Sequence, residues 1–119
     1  MLSVIIPAYN EELLIEKAYY TISEILANAL IDNEIIFVDD GSSDATYEKI
    51  KDLADKEENI VGLHFSRNFG KEAAISAGLA SATGDCVVVI DCDLQHPPEK
   101  IVEMYHLWEE GFEIVEGVK

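Results

Sequence analysis

Positive charge is scarce in this sequence. Eight Lys and Arg stand against 24 Asp and Glu in 119 residues, a formal net charge of −16. Such a surface repels nucleic acid, and anionic membranes with it, unless a cation intervenes; nucleic-acid binding is disfavoured. Long apolar runs are missing too. None reaches the ~18 residues of a membrane span, and Met1-Leu2-Ser3-Val4 has neither the basic start nor the apolar stretch of a secretory signal. No membrane span is expected, and the chain reads as cytoplasmic. Cysteine is limited to Cys86 and Cys92. In one strand, at ~3.3 Å per residue, they stand about 20 Å apart, beyond disulfide reach. Two thiols without further Cys or closely spaced His also make a poor zinc site, so both are expected free. With 3 Pro, 7 Gly and no biased or repeated segment, no linker is visible. Residues 1–119 read as one domain, long enough to bury roughly two thirds of its unfolded surface.

What is present is an alternation of short apolar runs with longer amphipathic ones. Ser3–Ile6, Glu34–Val38, Ile60–Phe65 and Cys86–Ile90 are mostly β-branched and read as strands, the most continuous of them buried on both faces. Between the first two, Leu14, Ala18, Ile22, Ile25, Leu26 and Ala29 recur at helical spacing, with Asn10 as expected N-cap and Glu11 and Glu12 in the first turn. A second helix is expected after Ser42-Ser43-Asp44, running to about Glu58. A third runs from about Gly70 to Thr83, and a fourth opens at Pro97-Pro98. Phe112 to Val118 is a candidate fifth strand. This order predicts an α/β fold: a mostly parallel, doubly wound sheet with helices on both faces.

In such sheets ligands gather beyond the carboxyl ends of the strands, so the residues that follow each apolar run carry the information. They are Pro7-Ala8-Tyr9-Asn10-Glu11-Glu12, Asp39-Asp40-Gly41-Ser42-Ser43-Asp44, Ser66-Arg67-Asn68-Phe69-Gly70-Lys71 and Asp91-Cys92-Asp93-Leu94-Gln95-His96. One rim would then hold Glu11, Asp39, Asp40, Asp91 and Asp93. Between Glu57 and Glu99, only Arg67 and Lys71 are positive. Carboxylates crowded in this way raise one another's pKa unless a cation sits among them. If 91–95 stays extended, Asp91, Asp93 and Gln95 share a side and Cys92 faces away. Their oxygens suit one hard ion, Mg²⁺ or Mn²⁺. His96, of the other parity, is expected to hydrogen-bond locally. The bland alternatives are turn and cap chemistry for Asp39 to Ser43, a core-edge aromatic at Tyr9, and simple charge neutralisation by Arg67 and Lys71. The small residues Ala73 to Ala82 read as close helix-to-sheet packing.

Taken together and in order, Ile6–Glu12, Val38–Thr46, Arg67–Ala74 and Asp91–Glu99 resemble glycosyltransferase family 2 across essentially the whole chain. The third and fourth blocks are most similar to the polyprenyl-phosphate sugar transferases, of the dolichol-phosphate mannosyltransferase and bactoprenol glucosyltransferase kind. The resemblance implies a GT-A fold and an inverting transfer from a UDP- or GDP-sugar donor to a lipid-phosphate or saccharide acceptor, foremost a polyprenyl phosphate. It assigns Pro7, Tyr9, Glu11, Asp39 and Asp40 to base and ribose. It gives Asp91 and Asp93, joined by Gln95, to an Mg²⁺ or Mn²⁺ ion on the diphosphate. Arg67 and Lys71 are placed near that diphosphate.

Family catalytic domains are roughly twice this length, their second half carrying the acceptor site and any catalytic base. The chain is therefore expected to be the N-terminal, donor-binding part of a larger enzyme at the cytoplasmic face of the membrane. It is expected to bind donor without full activity, with no catalytic base assigned. Two other readings are open. One is a phosphoacceptor receiver-like signalling domain, although strand one leads to Pro7-Ala8-Tyr9-Asn10 where that class has an acidic pair. The other is a non-catalytic nucleotide-binding or assembly module that self-associates through an exposed edge strand.

Overall fold

The computed structural model describes residues 1–95 and 97–111. Four strands, β1 (Leu2–Ala8), β2 (Asn33–Asp39), β3 (Ile60–His64) and β4 (Cys86–Val89), alternate with α1 (Ile15–Asn28), α2 (Thr46–Lys56), α3 (Lys71–Ser81) and α4 (Lys100–Glu109). The sheet is wholly parallel in the order β3-β2-β1-β4. The expected strand Phe112 to Val118 and the expected role of His96 lie outside the described residues.

The period-two alternation of each strand divides the core into two layers. Val4, Ile6, Ile35, Phe37, Val88 and Ile90 face α1, α2 and α4, where Ile15, Ile22, Leu26, Ile50, Leu53 and Ile101 meet them. Ile5, Ile36 and Val38 face the other way, onto Ala74 of α3. Every residue of β1 is buried, as its near-continuous apolar run predicts for an inner parallel strand. The small residues of α3 do serve close packing. A Cβ on buried Gly78 would lie 2.6 Å from Ile5 Cγ2, so the helix backbone rests directly on β1.

Helices on both faces agree with expectation, as do the starts of α2 and α3, but α1 and α4 start differently. Asn10 does not cap α1, which begins five residues later, after Leu14. Asn10 instead adopts φ +53° and bridges to the β2–α2 turn, its Oδ1 accepting from Ser43 N at 2.8 Å and its N–H donating to Ser42 Oγ at 2.8 Å. Long-range bonds capture the side chain that local reading assigned to a cap. Likewise Pro97 and Pro98 precede α4 rather than opening it, their carbonyls accepting from Lys100 and Ile101.

Candidate functional site

The order of strands reverses between β1 and β4. The chain steps outward from β1 through β2 to β3, then returns to the far side of β1. Open parallel sheets bind ligands at the carboxyl end of such a switch point, and here Pro7 opens it. Ile5 O accepts from Ile90 N at 2.9 Å, and the period of two turns Pro7 toward the same neighbour, where it has no N–H to offer. Pairing of β1 with β4 accordingly stops at Ile5 and Val89, while β1 continues beside β2 to Ala8. The loops that follow β1 and β4 part, leaving a cleft of about 260 Å³ lined by Pro7, Ala8, Tyr9, Glu11, Asp40, Lys71, Asp91 and Asp93. A second hollow, lined by Asn10 to Leu14 and Asp44, adjoins it across Glu11 and Asp93.

Six of the expected site residues other than Asp40 therefore meet in one place: Pro7, Tyr9, Glu11, Lys71, Asp91 and Asp93. Tyr9 is half-exposed there. Lys71 Nζ contacts Asp91 Oδ1 at 2.5 Å. Burial pushes the Glu11 carboxyl above the usual carboxylate range; a backbone bond at Tyr9 opposes this, Asp93 and Asp91 add to it, and Lys71 relieves it. Burial is the main cause, and repulsion from Asp93 and Asp91 adds to it. Beneath the rim, Cys92 is 2% exposed and its thiol is pushed up to about 12 by burial and by Glu11, Asp93 and Asp91. Cys86 and Cys92 are both free, buried thiols, as expected.

Asp40 touches the cleft but is occupied by structure. It is 5% exposed, and its carboxylate accepts from Phe69 N at 2.8 Å, Gly70 N at 3.1 Å and Asn68 Nδ2 at 3.2 Å. It thereby clamps the β3–α3 loop and sets where Lys71 begins α3. The two loops touch at their backbones. Gly41 has φ +73°, and a Cβ there would sit 2.1 Å from the Arg67 carbonyl carbon, so only glycine fits.

Three expected residues are placed elsewhere. Asp39 is fully buried; its carboxylate faces His64 Nδ1 at 2.7 Å and accepts from Ser42 N at 3.1 Å, away from the cleft lining. Arg67 is exposed and lies over the Phe69 ring at 4.6 Å. Gln95 is exposed, with its N–H directed to Asp93 Oδ1 at 3.3 Å. The extended geometry assumed for 91–95 gives way to a turn, in which Leu94 N donates to Asp91 O and Leu94 has φ +53°. The alternation argument that grouped Gln95 with the aspartates therefore does not apply, although Asp91 and Asp93 still share the cleft. His64, which in sequence looks like an ordinary strand residue, belongs to this arrangement. It stacks on Tyr47 at 4.1 Å between ring centres and holds Asp39. The signal for it is the parallel register, which sets Asp39 beside His64.

Among the described residues, no group of three or more His, Cys, Asp or Glu is gathered so as to hold a metal ion unaided. Two aspartates lining one acidic cleft nevertheless fit Mg²⁺ or Mn²⁺, because such ions are commonly bound by one or two carboxylates plus substrate phosphates and water.

The chain is similar to known proteins in sequence and in fold. The chain is 43% identical over 114 residues to the prophage bactoprenol glucosyl transferase homolog of Escherichia coli K12, covering 96% of this chain and 37% of that protein. It spans little more than a third of the length of such curated relatives, 36% and 37% in two of them. Among solved structures, mannosyltransferase PcManGT from Pyrobaculum calidifontis, in complex with GDP-Man and Mn²⁺, superposes with a TM-score of 0.72 at 30% identity, over 83% of this chain and 29% of that one. Glucosyl-3-phosphoglycerate synthase from Mycobacterium tuberculosis, with Mn²⁺, UDP and glucosyl-3-phosphoglycerate, gives 0.61 at 32% identity, over 77% and 33%. The fold is that of the GT-A glycosyltransferases, and the receiver-like reading falls away. The profile of glycosyl transferase family 2 spans residues 3–118, and the chain belongs to that family.

Proposed function

We propose that this chain is the donor-binding part of an inverting, divalent-metal-dependent glycosyltransferase that moves a sugar from a UDP- or GDP-sugar to a polyprenyl phosphate. The observation that carries the reading is the meeting of Tyr9, Glu11, Lys71, Asp91 and Asp93 in one cleft at the switch point. Similar proteins support it: a bactoprenol glucosyl transferase homolog, and solved structures holding GDP-Man or UDP with Mn²⁺.

In this reading Pro7 and Tyr9 flank the nucleoside, and Glu11 accepts from its hydroxyl groups. Asp39 and Asp40 contribute by fixing the β2–α2 and β3–α3 loops around it. Asp91 and Asp93 hold Mg²⁺ or Mn²⁺, with Gln95 able to join them if the turn at Leu94 opens. Bound there, the ion offsets the charge of the diphosphate and the negative charge that develops on the departing nucleotide. Lys71, and Arg67 if it swings inward, add positive charge at the same end. A lipid phosphate acceptor is already anionic and attacks the anomeric carbon from the opposite face without a strong general base. Such an acceptor places the working enzyme at a membrane surface. No helix among the described residues is long and apolar enough to cross one.

Calorimetry with UDP- and GDP-sugars, with and without Mn²⁺, tests the proposal. Metal-dependent binding lost in Asp93→Ala is expected. Binding indifferent to metal, or unchanged in Asp93→Ala, refutes it.

A further inference from the structure

Lys71 stands where its charge is unwelcome to its own helix. It is the first residue of α3, at the end where the helix dipole favours anions over cations. No side chain caps that end, and the two amides just before it, on Phe69 and Gly70, are already given to Asp40. Its ammonium instead reaches across 20 residues of sequence to Asp91 Oδ1, at 2.5 Å. Of the residues that line the cleft, Glu11, Asp40, Asp91 and Asp93 are acidic and Lys71 alone is basic. The pair is accessible, with side-chain exposures of 53% for Lys71 and 28% for Asp91. Exposed pairs of this kind contribute little to stability and exchange partners readily.

We propose that Lys71 is a ligand-binding residue that acts as a built-in, displaceable counter-ion for Asp91. Its contact with Asp91 competes with a divalent ion for that carboxylate; when metal and nucleotide diphosphate bind together, it releases Asp91 and moves onto the diphosphate. The inference rests on the proposed donor site. Its physical basis is that an ammonium and a divalent cation sharing one carboxylate repel each other strongly in a partly desolvated cleft. The ammonium therefore makes metal binding without donor unfavourable, and the incoming diphosphate provides the anion that draws it away. The cleft would fill with the two ligands as a unit.

Mn²⁺ binding, followed by electron paramagnetic resonance of the free ion, is the test, using Lys71→Met and Lys71→Arg. For Mn²⁺ alone, Lys71→Met is expected to bind about tenfold more tightly than the parent, and Lys71→Arg about as weakly as the parent. For UDP or GDP in saturating Mn²⁺, Lys71→Met is expected to bind about tenfold more weakly. A residue with a merely structural role would not move the two affinities in opposite directions. Unchanged or weaker Mn²⁺ binding by Lys71→Met overturns the proposal, as does unchanged diphosphate binding. Asp93→Ala separates the two layers of inference: if it leaves Mn²⁺ binding intact, the metal site itself is misplaced, whatever Lys71 does.

Discussion

Replacing Asp40 with Ala tests whether this carboxylate organises the site from beneath. Asp40 is 5% exposed and accepts from Phe69 N, Gly70 N and Asn68 Nδ2. A hydrogen bond to a charged acceptor contributes about 1.5–3 kcal/mol, and a buried donor left unpaired costs about 1–3 kcal/mol. Phe69 and Asn68 are exposed and Gly70 is half-buried, so water can satisfy part of what Ala removes. The expected loss is about 2–4 kcal/mol, a large share of the ~5–15 kcal/mol that holds an ordinary domain. At roughly 3–6 °C per kcal/mol for a chain of this size, the melting temperature should fall by about 6–24 °C. Asp40→Asn keeps one acceptor oxygen and should lose about half as much. Urea denaturation gives the energies, and amide exchange at Phe69 and Gly70 gives the location. Stability within about 0.5 kcal/mol of the parent, the range of an ordinary surface change, would refute the clamp. So would unaltered exchange at those two amides.

Gly41→Ala should cost more than about 2 kcal/mol in urea, since Ala in the left-handed region is strained by ~1–2 kcal/mol and its Cβ would also meet the Arg67 backbone at 2.1 Å; an unchanged midpoint would contradict the loop contact. At the opposite end of the sheet, burial raises the Glu34 carboxyl, but bonds from Ser3 Oγ, Thr83 N and Thr83 Oγ1 outweigh it and hold the group below its usual value. A depressed carboxylate stabilises the fold above its unfolded value, and the benefit is lost as pH falls through the folded value. Glu34→Gln should therefore lower stability by roughly 1 kcal/mol near pH 7, with the gap closing below about pH 4; a pH-independent gap would count against those bonds. Cys92, with its thiol pushed up to about 12, should resist iodoacetamide at pH 8 until the protein is unfolded, and rapid labelling of the native state would show that the floor of the cleft is open.

The strands were legible because inner parallel strands must be apolar on both faces, as the wholly buried β1 is, whereas the β-branched run Cys86–Val89 alternates between buried and half-buried at the edge of the described sheet. The meeting of Tyr9, Glu11, Asp91 and Asp93 was legible for a topological reason, since parallel strands deliver their carboxyl ends to one rim. What stayed hidden depends on partners distant in sequence. Asn10 has the chemistry of a cap, yet its bonds go to Ser42 and Ser43. Asp39 and Asp40 look equivalent in sequence. The pleat sends the first toward His64 and the second toward the β3–α3 loop, and nothing local says which of them borders the cleft. Strand alternation puts Gln95 on the side of the aspartates, but the left-handed Leu94 breaks that alternation, and leucine gives no warning of that conformation.

A crystal structure with UDP or GDP and Mn²⁺, with the ion located by its anomalous signal, tests the central claim most directly. A manganese peak against Asp91 and Asp93, beside the diphosphate and between the loops that follow β1 and β4, is expected, with Lys71 turned away from Asp91. A nucleotide seated elsewhere, or a manganese ion held without either aspartate, would contradict it.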